Sequence, residues 1–137
     1  MHTVAATTLA FEVQTARRRY YVPRAHVDHL GAAPAPESNG GHTRPVLARD
    51  LGPLLDPTDD GAPGRQSLTV LLRRRTVVLR VQRIENLERI TVQPLAPLLL
   101  RRLRAPWVLG VVLSNDQPVL VLDARRIATD LALGVIA

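Results

Sequence analysis

Residues 107–127 read WVLGVVLSNDQPVLVLDARRI. Two apolar runs flank the short polar stretch Ser114-Asn115-Asp116-Gln117, the pattern of two strands joined by a tight hairpin turn. The second run ends in Asp123, which is followed by Ala124 and two arginines. An aspartate at this point can be a reactive carboxylate or the residue that ends a strand and starts a helix. As a helix cap it would accept hydrogen bonds from the first free helical N–H groups and complement the positive end of the helix dipole. Capping is the simpler reading.

Working outward, QPVLVLDARRIATDL (117–131) is answered earlier by RPVLARDLGPLL (44–55), with Asp50 in the place of Asp123. The rest of the chain repeats in the same way. Leu9, Phe11 and Val13 alternate, the basic run Arg17–Arg19 follows, and then come Tyr20, Val22 and the segment Val27–Leu30. In the second series Leu68, Val70 and Leu72 alternate, followed by Arg73–Arg75, then Val77, Leu79, Val81, Ile84 and Leu87. Period-two alternation of this kind marks half-buried strands. Each half is thus a hairpin, an intervening segment, a strand beginning Pro-Val-Leu, an aspartate and a short helix. The fold class expected is mostly β, a duplicated small β-barrel with one or two short helices whose copies share a core, because a lone hairpin is marginal in water. Pro23 points to a bend or an edge. ERITVQ (88–93) reads as a further strand and PLAPLLLRRLR (94–104) as an apolar crossing or a helical turn or two.

A length of 137 residues fits one domain, placed at 9–134, with a tail at 1–8 and halves at about 9–56 and 67–131. GAAPAPESNGGHTR (31–44) and DPTDDGAPGRQ (56–66) have the composition of loops. Hydrophobic residues make up 46% of the chain, enough to build a core without disulfides. The absence of cysteine removes thiolate nucleophiles and cysteine-based zinc sites. MHTVAATTLAFEV lacks early basic residues and a long apolar run, so neither a secretory signal nor membrane insertion is expected, and the expected location is the cytoplasm.

Chemistry is hard to find. His26 and His29 are three apart, which on a continuing strand would place them on opposite faces, so with His42 they make a poor zinc site and no metal or cofactor is expected. No Gly-x-Ser-x-Gly elbow, P-loop or dinucleotide fingerprint occurs, and most carboxylates lie in loops or beside arginines. The chain reads as no enzyme. All 18 basic residues are arginine and the net charge is +6, which raises nucleic acid as a partner. Aromatics at 3% leave few stacking platforms, and the clusters at Arg17–Arg19 and Arg73–Arg75 sit where hairpin tips fall, as does ordinary edge protection.

The order of these elements resembles the CheW-like domain, the adaptor module of bacterial chemosensory systems. Phe11, Tyr20, Val22, Pro23 and Val27-Asp28-His29-Leu30 are similar to its opening strand, its Tyr-x-aliphatic-Pro stretch and its Val-x-Glu-aliphatic motif. Pro45-Val46-Leu47 with Asp50-Leu51 resembles the close of its first half. Val81-Gln82-Arg83-Ile84, Val92-Gln93-Pro94-Leu95 and the run from Gly110-Val111 through Asn115-Asp116 to Leu122-Asp123 resemble the second. The resemblance spans about residues 9–131. Three family features are missing: SNGGHTR (38–44) stands for the Asn-Leu-Arg-Gly before the proline strand, His29 for the glutamate, and Gln82 for the aspartate of the Val-Asp pair.

The resemblance implies two intertwined small SH3-like β-barrels and a non-enzymatic adaptor or scaffold. The implied partners are the regulatory domain of a chemosensory histidine kinase and the cytoplasmic tip of a chemoreceptor. It places Val27, His29, Leu30, Val81, Arg83 and Ile84 at a groove between the barrels. The alternatives are a small basic β-barrel that binds nucleic acid and a divergent scaffold that has lost the receptor contact.

Overall fold

The computed structural model describes residues 6–32, 46–59, 64–94 and 107–134. Strand β1 (Ala6–Gln14) begins ahead of the Leu9 boundary and turns into β2 (Arg19–Pro23). Proline at the end of β2 cannot extend the ladder, and a single 3-10 turn (Arg24–His26) follows, as expected of a bend there. Then come β3 (His29–Ala32), β4 (Val46–Asp50) and the short helix α1 (Leu51–Leu55). The second half supplies β5 (Gln66–Leu71), β6 (Thr76–Val81), the long β7 (Arg83–Val92), β8 (Val108–Ser114), β9 (Gln117–Leu122) and helix α2 (Ala124–Ala132). ERITVQ is therefore mainly the end of β7 rather than a separate strand. Most of 31–44, the middle of 56–66 and nearly all of the apolar crossing at 94–104 lie outside the described residues.

The strands form two sheets, ordered β7-β1-β2-β9-β8 and β3-β5-β6-β4. Neither sheet belongs to one half of the chain. The β1–β2 hairpin is flanked by β7 on one side and, in parallel, by β9 on the other. The β5–β6 hairpin is flanked by β3 and, again in parallel, by β4. Each half thus lends its later strands to the hairpin of the other, which is what makes the two units intertwined. In the five-stranded sheet the residue after β7, Gln93, exchanges two 2.8 Å backbone hydrogen bonds with Val111 of β8. One bridge, rather than a full ladder, brings the outer strands together. Gly110 permits it, since a Cβ there would lie 2.4 Å from the Gln93 carbonyl oxygen.

The β8–β9 hairpin has the turn expected from its sequence. Asn115 and Asp116 both take positive φ, 52° and 62°, the type I′ geometry whose twist matches that of the flanking strands. Alternation then sorts side chains between two cores. Ala10, Tyr21, Ile90, Val112, Val119 and Val121 fill the smaller one, inside the five-stranded sheet. The larger core lies between the sheets and takes Val13, Tyr20 and Val22 from one, Leu68, Val70, Val77, Leu79 and Val81 from the other. Leu51 of α1 and Ile127 of α2 are fully buried in it. Deleting such a side chain typically costs about 2–5 kcal/mol.

Candidate protein-interaction site

Asp123 caps α2: its Oδ1 accepts the Arg126 N–H at 3.0 Å. The helix is further held by a buried 2.8 Å bond from Trp107 Nε1 to Asp130 Oδ2, with Arg126 against the other oxygen at 3.3 Å. Asp50 stands in the corresponding place before α1 but makes no cap bond. It accepts from the Gly64 N–H at 2.9 Å and pairs with Arg80 at 3.2 Å. A five-residue helix offers little dipole to complement, and the carboxylate instead ties the inter-half connector to β6. Both aspartates therefore hold the fold.

The histidines are not gathered. His26 is half-buried on the 3-10 turn, with Nδ1 3.7 Å from Asp123 Oδ1, while His29 is exposed on β3. His42 lies outside the described residues. Burial pushes the His26 pKa down, partly opposed by the Asp123 carboxylate and reinforced by Arg125. Among the described residues no group of three His, Cys, Asp or Glu side chains is placed to hold a metal.

What the fold leaves open is the margin of the larger core. In the five-stranded sheet, Leu87 of β7 is the register partner of Phe11, and Ile84 that of Val13. Across the molecule, Leu30 of β3 is the partner of buried Leu68. Ile84 and Leu87 lie on β7 and Leu30 on β3, each an edge strand of its sheet among the described residues. Phe11, Val27 and Ile84 are partly buried against the core, and Leu30 and Leu87 are each 39% exposed. Each sheet thus carries an exposed leucine on an edge strand, Leu87 on β7 and Leu30 on β3.

Gln66 ties the two sheets together near their edges. It pairs with Ala32 of β3 and Val81 of β6, and its Oε1 accepts the Ile84 N–H. At Gln82, whose N–H donates to the Gln14 carbonyl at 2.9 Å, the chain crosses from one sheet to the other. Val27 is half-buried just before β3, where His29 and Leu30 are exposed, and Arg83 and Ile84 open β7. Arg83 is exposed and pairs with Glu85 at 2.9 Å. Val81 differs: at 2% exposure it is a residue of the larger core, not of a surface groove. Sequence reasoning left Leu87 and Phe11 outside the site. Their signal, an apolar residue between Asn86 and Glu88 and an aromatic in an otherwise aliphatic strand, carries no location until the register is known.

No protein-family model matches the sequence, and neither does any curated protein. Among solved structures the chain is similar to the crystal structure of the scaffolding protein TtCheW from Thermoanaerobacter tengcongensis. The TM-score is 0.62 at 14% sequence identity, covering 86% of this chain and 90% of that one. At that identity the likeness is one of fold. The chain has a CheW-like fold.

Proposed function

We propose that this chain is a non-enzymatic chemosensory adaptor, working in the cytoplasm through its surfaces alone. The observations that carry the reading are the exposed Leu30 and Leu87 on the edge strands β3 and β7, in a fold similar to that of a scaffolding protein. Leu30 and Leu87 are the anchors that supply affinity, and Arg83, Arg89 and His29 form the charged and polar rim that selects the partner. An amphipathic helix laid against exposed apolar anchors is a common mode of recognition. The partners proposed are the regulatory domain of a chemosensory histidine kinase and a chemoreceptor tip, the receptor end of the bridge being the one that meets His29. No helix among the described residues is long and apolar enough to cross a membrane.

The fold uses up some of the arginines that favoured nucleic acid. Arg18 pairs with Asp56 at 3.5 Å and Arg75 donates to the Ala132 carbonyl at 3.4 Å, each tying a hairpin tip to the end of its own half's helix.

The test is a pull-down with purified kinase regulatory domain and, separately, a receptor-tip fragment. Retention of the kinase domain, lost in Leu30→Asp or Leu87→Asp with an unchanged melting curve, is the expected result. Retention of neither partner, or binding indifferent to both substitutions, would overturn the proposal. Kinase without receptor would identify the scaffold that has lost its receptor contact.

A further inference from the structure

We infer that the cleft between the β1–β2 turn and the start of β9 binds an extended acidic polypeptide segment. The cleft follows from a short ladder. Strand β9 pairs with β8 down to Gln117↔Ser114, but with β2 only at Tyr20↔Leu120 and Tyr21↔Val121. Below Tyr20 the two strands part, leaving an open cleft of about 620 Å³. Its walls are the turn residues Gln14 and Arg17–Arg19 on one side and Gln117 to Val119 on the other.

The basic wall is pre-set. Thr15 Oγ1 accepts from the N–H groups of Arg17, at 3.4 Å, and Arg18, at 3.1 Å, and the Thr15 N–H donates to the Arg18 carbonyl at 2.9 Å. Arg18 and Arg19 already engage the carboxylates Asp56 and Glu12, while Arg17 makes no ion pair among the described residues. A planar guanidinium at the mouth of a cleft is suited to bidentate recognition of a carboxylate. The part of β9 beyond its two β2 partners is also an unpaired strand edge, which an added extended chain can use. Nucleic acid fits less well: the one aromatic ring in the cleft, Tyr20, is buried, so no base has a platform to stack on. The cleft does not depend on the adaptor reading, since neither Leu30 nor Leu87 lines it.

The test is fluorescence anisotropy with the full chain at low salt, using a labelled hexaglutamate peptide, its hexaglutamine counterpart and a six-nucleotide oligothymidine. The glutamate peptide should bind at least about tenfold more tightly than either other probe, the range expected for charge-assisted bonds. Arg17→Gln and Gln117→Glu should each weaken it several-fold with unchanged thermal melting. Arg74→Gln, the same charge change at the other hairpin tip, should leave it unaltered. Equal loss in Arg74→Gln would show attraction to overall charge only, and oligothymidine binding as tightly as the peptide would make this a nucleic-acid surface. Either result, or no binding of hexaglutamate, would overturn the inference.

Discussion

The two hairpins that found the two halves are alike in sequence and unlike in surroundings. Both end in three arginines, and both send one guanidinium to the C-terminal end of their own half's helix: Arg18 to Asp56 beyond α1, Arg75 to Ala132 in α2. Such a contact places a cation at the negative end of the helix dipole or against a carboxylate already there. Beyond this the copies separate. The first tip stands beside a cleft because its parallel neighbour β9 is barely paired to it, whereas β6 pairs with β4 over the whole run from Val46↔Thr76 to Asp50↔Arg80. The same local motif is thus a wall of a cavity in one half and a closed corner in the other. A duplicated sequence preserves the element; its neighbours decide what the element does.

The helices sharpen the comparison most. Although α1 has five residues and α2 nine, Leu51 and Ile127 are equally buried. Leu51→Ala and Ile127→Ala should therefore cost similar amounts, about 3 kcal/mol each by chemical denaturation. A cost near zero for Leu51→Ala would mean that the first half contributes little to the shared core. The aspartates come next, with different mechanisms behind similar magnitudes. Asp123→Ala removes a cap and should cost about 1 kcal/mol, recovered in Asp123→Ser, since a serine can cap in its place. Asp50→Ala loses the link to Gly64 and Arg80 and should cost about 1–2 kcal/mol, and Asp50→Ser should recover none of it.

Smaller effects test the turns. Asp116→Gly relieves a positive φ and should stabilise by a few tenths of a kcal/mol up to about 1. The same change at Arg17, in a turn with no positive φ, should not. The smallest effect concerns His26. Its folded pKa is lowered mainly by burial, so below the unfolded value of about 6.5 the unfolded chain binds more protons. Stability should accordingly fall as pH drops from 7.5 to 5.5, and less steeply in His26→Gln. The Asp123 carboxylate and Arg125 face the imidazole with opposite effects, which keeps the difference under about 1 kcal/mol. An identical pH slope in wild type and variant would show that His26 contributes nothing.

The candidate residues Val27, Leu30 and Ile84 come from the family resemblance and not from alternation, since Val27 and Leu30 are three apart, a spacing that changes face on a continuous strand. Val81 could not be told from its neighbours, since a strand crossing between two sheets shows the same alternation as one lining a groove. Leu87 was equally ambiguous. In Glu85-Asn86-Leu87-Glu88 a lone leucine among polar residues has no face until the β1 bulge between Phe11 and Val13 sets its register. Asp50 repeats the lesson: its position before a helix was legible, but its partners Gly64 and Arg80 were not.

By itself the sequence determined the local grammar of the chain. Period-two alternation made strands, Asn115-Asp116 made a type I′ turn, and an aspartate ahead of an apolar turn of helix marked where each half ends. These are short-range choices, settled by backbone sterics and by which side of a strand is wetted. Only the tertiary structure decided that Tyr21 lies beside Val121, that each half borrows strands from the other, and that a cleft is left beside the first hairpin tip. Pairing between distant strands depends on which apolar faces can be buried together, and no local pattern carries that information.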